Sequence, residues 1–129
     1  MTESSNTWLP LRNVHTTPEG RWESNAQFGS SAEWFSGHFE GYPLLPGVTL
    51  LALAAETVKI KGREEGRILG VLSLLGVRFK HFVFPGSELL ISIAAMPPFA
   101  RANLDFQITC QDKVAAQGVL IVTENAPGE

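Results

Sequence analysis

The sequence predicts an α+β domain in which a curved antiparallel sheet wraps around one long central helix. Three observations carry that expectation. The run from Pro46 to Lys61 is apolar on nearly every helical face, through Val48, Leu50, Leu51, Ala52, Leu53, Ala54, Ala55 and Val58, and a helix apolar all round belongs inside something else. Four stretches rich in Val, Ile, Leu and Phe follow it, residues 67–84, 88–96, 101–110 and 113–122, separated by Pro85-Gly86, Pro97-Pro98 and Gln111-Asp112-Lys113, the pattern of a strand meander. Finally, 129 residues with 44% hydrophobic and 18% charged content and a single cysteine, Cys110, suit one soluble domain whose core needs neither disulfide nor structural metal.

The elements follow in order. Residues 11–16 and 21–28 flank Thr17-Pro18-Glu19-Gly20, a turn signal, so the chain opens with a hairpin. Residues 29–45 are irregular and crowded with Gly, Ser, Pro and aromatics, with one short helical turn around Ser31–Phe35. Pro46 is preorganised for the first helical position, and Gly62 is the expected C-terminal cap. Among the strands, alternation is clearest in Leu104, Phe106, Ile108 and Cys110. There is no internal repeat; the expected domain spans 7–123, with 1–6 and 124–129 as flexible termini.

Several function classes are excluded at this level. The longest apolar candidate, Val48–Ala55, includes Thr49 and meets Glu56, far short of the roughly 20 residues of a membrane span. The N-terminus MTESSNTW lacks the basic and apolar regions of a signal peptide, so a cytoplasmic protein is expected. A net charge of −3 without a basic tract argues against nucleic-acid and membrane-surface partners. No His-x-x-x-His pair or carboxylate cluster has metal-ligand spacing, so no metal or redox cofactor is implied.

Chemistry concentrates in Phe35–Val48, FSGHFEGYPLLPGV, which sets His38 in a Gly-rich loop just before the start of the buried helix. A helix N-terminus presents unpaired N–H groups and partial positive charge, so it can hold a polarised carbonyl. Gly47 has no side chain to bar a substrate from that backbone, and His38 offers a base titrating near neutrality. By residue type alone, a lone His in a loop is more often a surface or packing residue, and Pro-Gly before a helix is ordinary punctuation. His15 and His81 are expected at solvent-facing strand positions.

The segment GHFEGYPLLPGV resembles the GHFPGxPxxPGV signature of the hotdog-fold 3-hydroxyacyl-acyl-carrier-protein dehydratases of fatty-acid synthesis, and GVRFKHFVFPGSEL, residues 76–89, resembles the RFKxPVxPGDxL strand of the same family. The likeness extends over roughly residues 9–122, with helix and strands in the family's order. It implies a hotdog fold and a thioester site in which His38 acts with an acid on the partner subunit's helix, while N–H groups at Gly47 and Val48 hold the thioester carbonyl. Four residues after the PGV valine, where the family carries that acid, this chain has Ala52. Glu56, at a position where the family usually has Gln, lies one turn on, on the same helical face and about 6 Å further along the axis. Because helical side chains lean toward the N-terminus, Glu56 projects over the space that Ala52 leaves; otherwise it is a helix-end ion-pair partner of Lys59 and Lys61. Glu40, where the family has Pro, and Glu33 are weaker candidates.

The resemblance further implies an acyl tunnel across a homodimer or larger oligomer, for which Phe35, Phe39, Leu44, Leu45, Phe79 and Phe82 are available. Its partner is an acyl carrier protein or coenzyme A thioester. Between Lys59 and Lys80 six cations face two glutamates, a net +4 within an acidic chain; such a patch steers acidic carriers or is simply a solvated face. The leading expectation is a 3-hydroxyacyl thioester dehydratase, a hydro-lyase of fatty-acid or polyketide-type synthesis. A hotdog thioesterase and a non-catalytic acyl-binding or partner subunit are the alternatives.

Overall fold

The computed structural model describes residues 10–28, 46–84 and 86–125. The first two strands, β1 (Leu11–Thr16) and β2 (Arg21–Gln27), pair as an antiparallel hairpin. Its turn is closed by the Thr17 N–H to Arg21 O at 2.7 Å and the Gly20 N–H to Thr17 O at 2.9 Å. Gly20 takes φ +89°, where a side chain would be strained. One long helix follows, α1 (Gly47–Glu64), then β3 (Ile68–Phe79), β4 (Glu88–Ala94), β5 (Arg101–Cys110) and β6 (Lys113–Asn125). All pairings are antiparallel and the sheet order is β1-β2-β4-β5-β6-β3. β5 and β6 meet in a two-residue turn at Gln111 and Asp112, with φ 52° and 66°. Positive φ at both central residues matches the right-handed strand twist.

Alternation builds the core. Trp22, Ser24 and Ala26 on β2, Leu89, Ile91 and Ile93 on β4, and Leu104, Phe106 and Ile108 on β5 are all buried. Against this layer α1 buries Leu50, Leu53, Ala54, Thr57, Val58 and Ile60, each large aliphatic side chain contributing about 1.5–3 kcal/mol by its removal from water. One polar link crosses the interior. The Thr57 hydroxyl donates to the Leu53 carbonyl at 2.9 Å, which leaves its oxygen to accept from the Ser24 hydroxyl at 2.7 Å.

The α+β expectation is met, with three differences. Gly62 is not the cap but an interior helix residue: a Cβ there would lie 2.8 Å from Leu69 Cγ and 3.1 Å from the Arg67 carbonyl, so it lets α1 approach β3. The helix ends one turn later, where the Arg67 N–H reaches Gly62 O at 2.8 Å and the Gly66 N–H reaches Arg63 O at 3.1 Å, with Gly66 at φ +74°, a Schellman closure. Secondly, β3 stops at Phe79, and residues 80–84 do not continue the strand, whereas β6 runs to Asn125, three residues past its expected end. There Arg67 secures the corner, bonding Glu124, Pro97 O and Phe99 O.

The third difference concerns cover. Although α1 is apolar nearly all round, one side only is buried: Val48, 65% exposed, and the half-buried Leu51, Ala52, Ala55 and Glu56 are left less covered. By the 100° step of a helix, Val48, Ala52, Ala55, Glu56, Lys59 and Arg63 fall on one open stripe. β3 repeats the theme, with Ile68, Leu72, Leu74, Leu75 and Phe79 exposed.

Candidate active site

Pro46 precedes α1 in an extended conformation, φ −60° and ψ 143°, and the Thr49 N–H turns back to its carbonyl at 3.0 Å. No side chain caps this end among the described residues, and the first turn holds no acid. Among the described residues, the dipole of this 18-residue helix therefore ends in donors not quenched by a carboxylate. The Phe79 ring, carried by the last residue of β3, lies against Gly47: a Cβ there would come within 2.9 Å of the ring. A side chain at Gly47 would have to displace the exposed Phe79 ring, so this packing favours glycine here as access of a substrate does. Beside it, Phe79, Lys80, His81 and Phe82 line an open hollow of about 310 Å³.

Further along the open stripe, Ala52 is followed one turn later by Glu56, its side chain 14% exposed and 3.9 Å from Arg63 Nη2. The two roles expected for Glu56 are geometrically compatible: it stands on the face of Ala52 and also pairs, loosely, within its helix. Its partner is Arg63, not Lys59 or Lys61. Lys59 and Arg63 overlook Ile68–Val71 of β3 and Asn125 across a cleft of about 450 Å³. The net-positive segment is smaller in space than in sequence. Lys61 is buried and bonds Glu64 at 2.9 Å, and Arg67 is held by Glu124 and two carbonyls, while Lys59, Arg78 and Lys80 stay exposed.

The structure therefore gathers Gly47, Val48, Phe79 and Phe82 near the helix N-terminus and places Glu56 on the same open face. His38, Phe35, Phe39, Leu44, Leu45, Glu33 and Glu40 lie outside the described residues. His15 bonds Asn13 O through Nδ1 at 2.6 Å and approaches Glu23 at 3.4 Å; His81 is exposed but follows the end of β3 and is not on a strand. Sequence reasoning passed over Thr49. It is wholly buried in the first turn, and its hydroxyl makes no hydrogen bond among the described residues. The available signal was a hydroxyl residue within an otherwise apolar run, directly after Gly47-Val48.

A six-stranded antiparallel sheet carrying one long helix, its start beside an aromatic strand end, defines a hotdog-fold protein. A family model described as ApeI-like, ApeI dehydratase, matches residues 14–119, and the chain belongs to that family. It is similar to the 3-hydroxyacyl-[acyl-carrier-protein] dehydratase FabZ of Bacillus pumilus, 34% identical over 90 residues that cover 61% of this chain and 62% of the relative. The FabZ of Cupriavidus taiwanensis is 31% identical over 98 residues, 70% of this chain and 65% of the relative. The chain thus spans rather less than two thirds of the length of these curated relatives. Among solved structures, the dehydratase heterocomplex ApeI:P from Xenorhabdus doucetiae superposes with a TM-score of 0.67 at 22% identity, over 95% of this chain and 99% of that one.

Proposed function

We propose that the chain forms a homodimeric or larger hydro-lyase that dehydrates 3-hydroxyacyl thioesters, carried on acyl carrier protein or coenzyme A, during fatty-acid or polyketide-type chain synthesis in the cytoplasm. The observation that carries this reading is the family match across residues 14–119. The uncapped start of α1 and the position of Glu56 on its open stripe are consistent with it. His38, as neutral imidazole, removes the proton at C2. The electron pair of that C–H bond becomes the C2=C3 double bond as the C3–O bond breaks, and the hydroxyl leaves as water with a proton from Glu56 in its acid form. N–H groups at Gly47 and Val48 hold the thioester oxygen while negative charge builds there. The exposed Phe79 and Phe82, with Phe35, Phe39, Leu44 and Leu45, line the acyl path. No cofactor is required.

The test is turnover of a 3-hydroxybutyryl thioester, followed as enoyl thioester formed. His38→Ala should abolish it with little change in melting temperature. Glu56→Gln keeps the shape but cannot deliver a proton, so the rate should fall roughly 10²–10⁴-fold, while loss of the long Arg63 contact costs under about 1 kcal/mol of stability. Free acid as product would move the assignment to a thioesterase. Full activity in Glu56→Gln would remove Glu56 from the mechanism. One second reading is favoured by Ala52 itself: a non-catalytic subunit that completes its site with a different, acid-bearing partner. A wild type that is inactive alone but active once Ala52→Glu is combined with Glu56→Gln would establish that reading instead.

A further inference from the structure

Lys59 and Arg63 stand one turn apart on the open stripe of α1 and line a cleft of about 450 Å³ with Ile68–Val71 of β3 and Asn125 of β6. That volume falls within the range of small-molecule pockets, roughly 300–1,000 Å³. Its two sides differ in chemistry. The β3 side is hydrocarbon, with Ile68 45% exposed and Leu69 packed beneath it. The α1 side carries the cations, and no carboxylate is among the lining residues. Other cations nearby are occupied, Lys61 by Glu64 and Arg67 by Glu124 and two carbonyls. Lys59 has no polar partner among the described residues, and Arg63 has only the 3.9 Å approach to Glu56, too long for a hydrogen bond.

We infer that this cleft binds the carboxylate of an aliphatic chain, the head on Lys59 and Arg63 and the hydrocarbon along β3. The ligand must be anionic, since the polar side offers cations only, and must carry an apolar body, since a bare anion leaves the β3 side uncovered. It must also be singly charged. Two cations against the neighbouring Glu56 leave one net positive charge, and both stand on the last two turns of α1, whose dipole opposes a multiply charged group such as a phosphate. A carboxylate meets all three conditions and accepts both N–H edges of a guanidinium. Two sources have this chemistry. Lys59 lies about 16 Å from Val48 along one stripe, so the carboxylate can be the far end of an acyl group whose thioester sits at the helix start; this source alone rests on the thioester reading above. The other source is a free fatty acid.

The test compares the full chain with its Lys59→Gln/Arg63→Gln variant, which removes both charges from the exposed face. Octanoate is titrated against the backbone amide signals of Gly70 and Val71 by NMR, with octan-1-ol as the tail without the charge and acetate as the charge without the tail. We expect octanoate to bind the wild type roughly tenfold or more tightly than either, and to lose that advantage in the variant, whose melting temperature and sedimentation match the wild type. Octan-1-ol or acetate binding as tightly as octanoate, or octanoate binding the variant as well as the wild type, would overturn the inference. So would a variant with altered sedimentation, which gives the cleft to a second copy of the chain. Turnover of a 3-hydroxydodecanedioyl thioester and of its ω-methyl ester separates the sources. A kcat/KM roughly tenfold higher for the carboxylate form, lost in the variant, makes the anion the far end of the substrate, whereas equal values beside tight octanoate binding make it a free fatty acid. Octanoate binding by a chain that forms no enoyl product from either thioester would overturn the dehydratase reading and leave this site standing.

Discussion

β5 and β3 flank the same strand, β6, and are made of similar residues, yet one is sealed and the other open. Along β5, Leu104, Phe106 and Ile108 are buried and the residues between them face outward. Along β3, Leu69 alone is fully buried, and Leu72, Leu74 and Leu75 are 59%, 39% and 49% exposed. The difference lies in neighbours, not in composition: β5 has a strand on each side, while β3 ends the sheet. An apolar edge of 12 residues with no second strand beside it among the described residues invites a further strand. The open stripe of α1 lies over this side of the fold, across the cleft that Lys59 and Arg63 share with Ile68–Val71. Core and edge thus represent two kinds of apolar surface, one covered by the chain itself and one left open.

The contrast can be broken most severely at the centre. Leu53, fully buried in α1, should not tolerate Leu53→Asp: an unpaired buried charge costs several kcal/mol out of a total stability of about 5–15, and circular dichroism should show an unfolded chain. A folded variant would mean that the centre is far looser than its burial indicates. At the edge the same kind of change should separate assembly from folding. Leu72→Lys is expected to leave the spectrum native while sedimentation shifts from dimer toward monomer, with the dissociation constant raised at least tenfold for a loss of about 1.5–3 kcal/mol. If the variant unfolds, or if the wild type is already a monomer at micromolar concentration, β3 is not an interface. The smallest effect sharpens the boundary between the regions. In an ordinary helix Gly→Ala stabilises by roughly 0.5–1 kcal/mol, but Gly62→Ala places its Cβ 2.8 Å from Leu69 Cγ, so it should destabilise by about 1–3 kcal/mol in urea denaturation. A gain in stability would show that α1 can move off β3 freely.

These regions also mark where the sequence could and could not be read. β5 was legible because burial on one face only leaves alternation, and the hairpin turns were legible from Thr17-Pro18-Glu19-Gly20 and from the break at Gln111-Asp112. Gly62 misled because glycine serves two purposes, ending a helix or admitting a neighbour, and a single sequence does not show the neighbour Leu69. The exposure of β3 was hidden because apolar residues look alike in sequence whether they face the core or lie open. At the candidate site, the position of Glu56 relative to Ala52 followed from helical spacing, whereas its actual ion-pair partner, Arg63, depends on rotamers. Thr49 was legible only as a hydroxyl residue within an apolar run; that its hydroxyl finds no partner among the described residues is a property of its surroundings, which no local pattern encodes.

The buried bond between Ser24 and Thr57 acts as an alignment pin. Apolar contacts fade gradually when a helix slides along a sheet, and many offsets would bury similar area; a hydrogen bond of 2.7 Å does not tolerate such drift. Sliding α1 by a single residue would rotate its faces by about 100° and shift them about 1.5 Å along the axis, stranding the Ser24 hydroxyl in the interior while Thr57 kept only its bond to Leu53 O. The pin therefore sets the angular zero of the helix. With Thr57 locked toward β2, its neighbour Glu56 is indexed to the open side, and the start of α1 is held at a fixed offset from the end of β3. A site whose parts come from different elements, and whose tolerance is a fraction of an ångström, inherits its calibration from two small side chains that have no part in its chemistry.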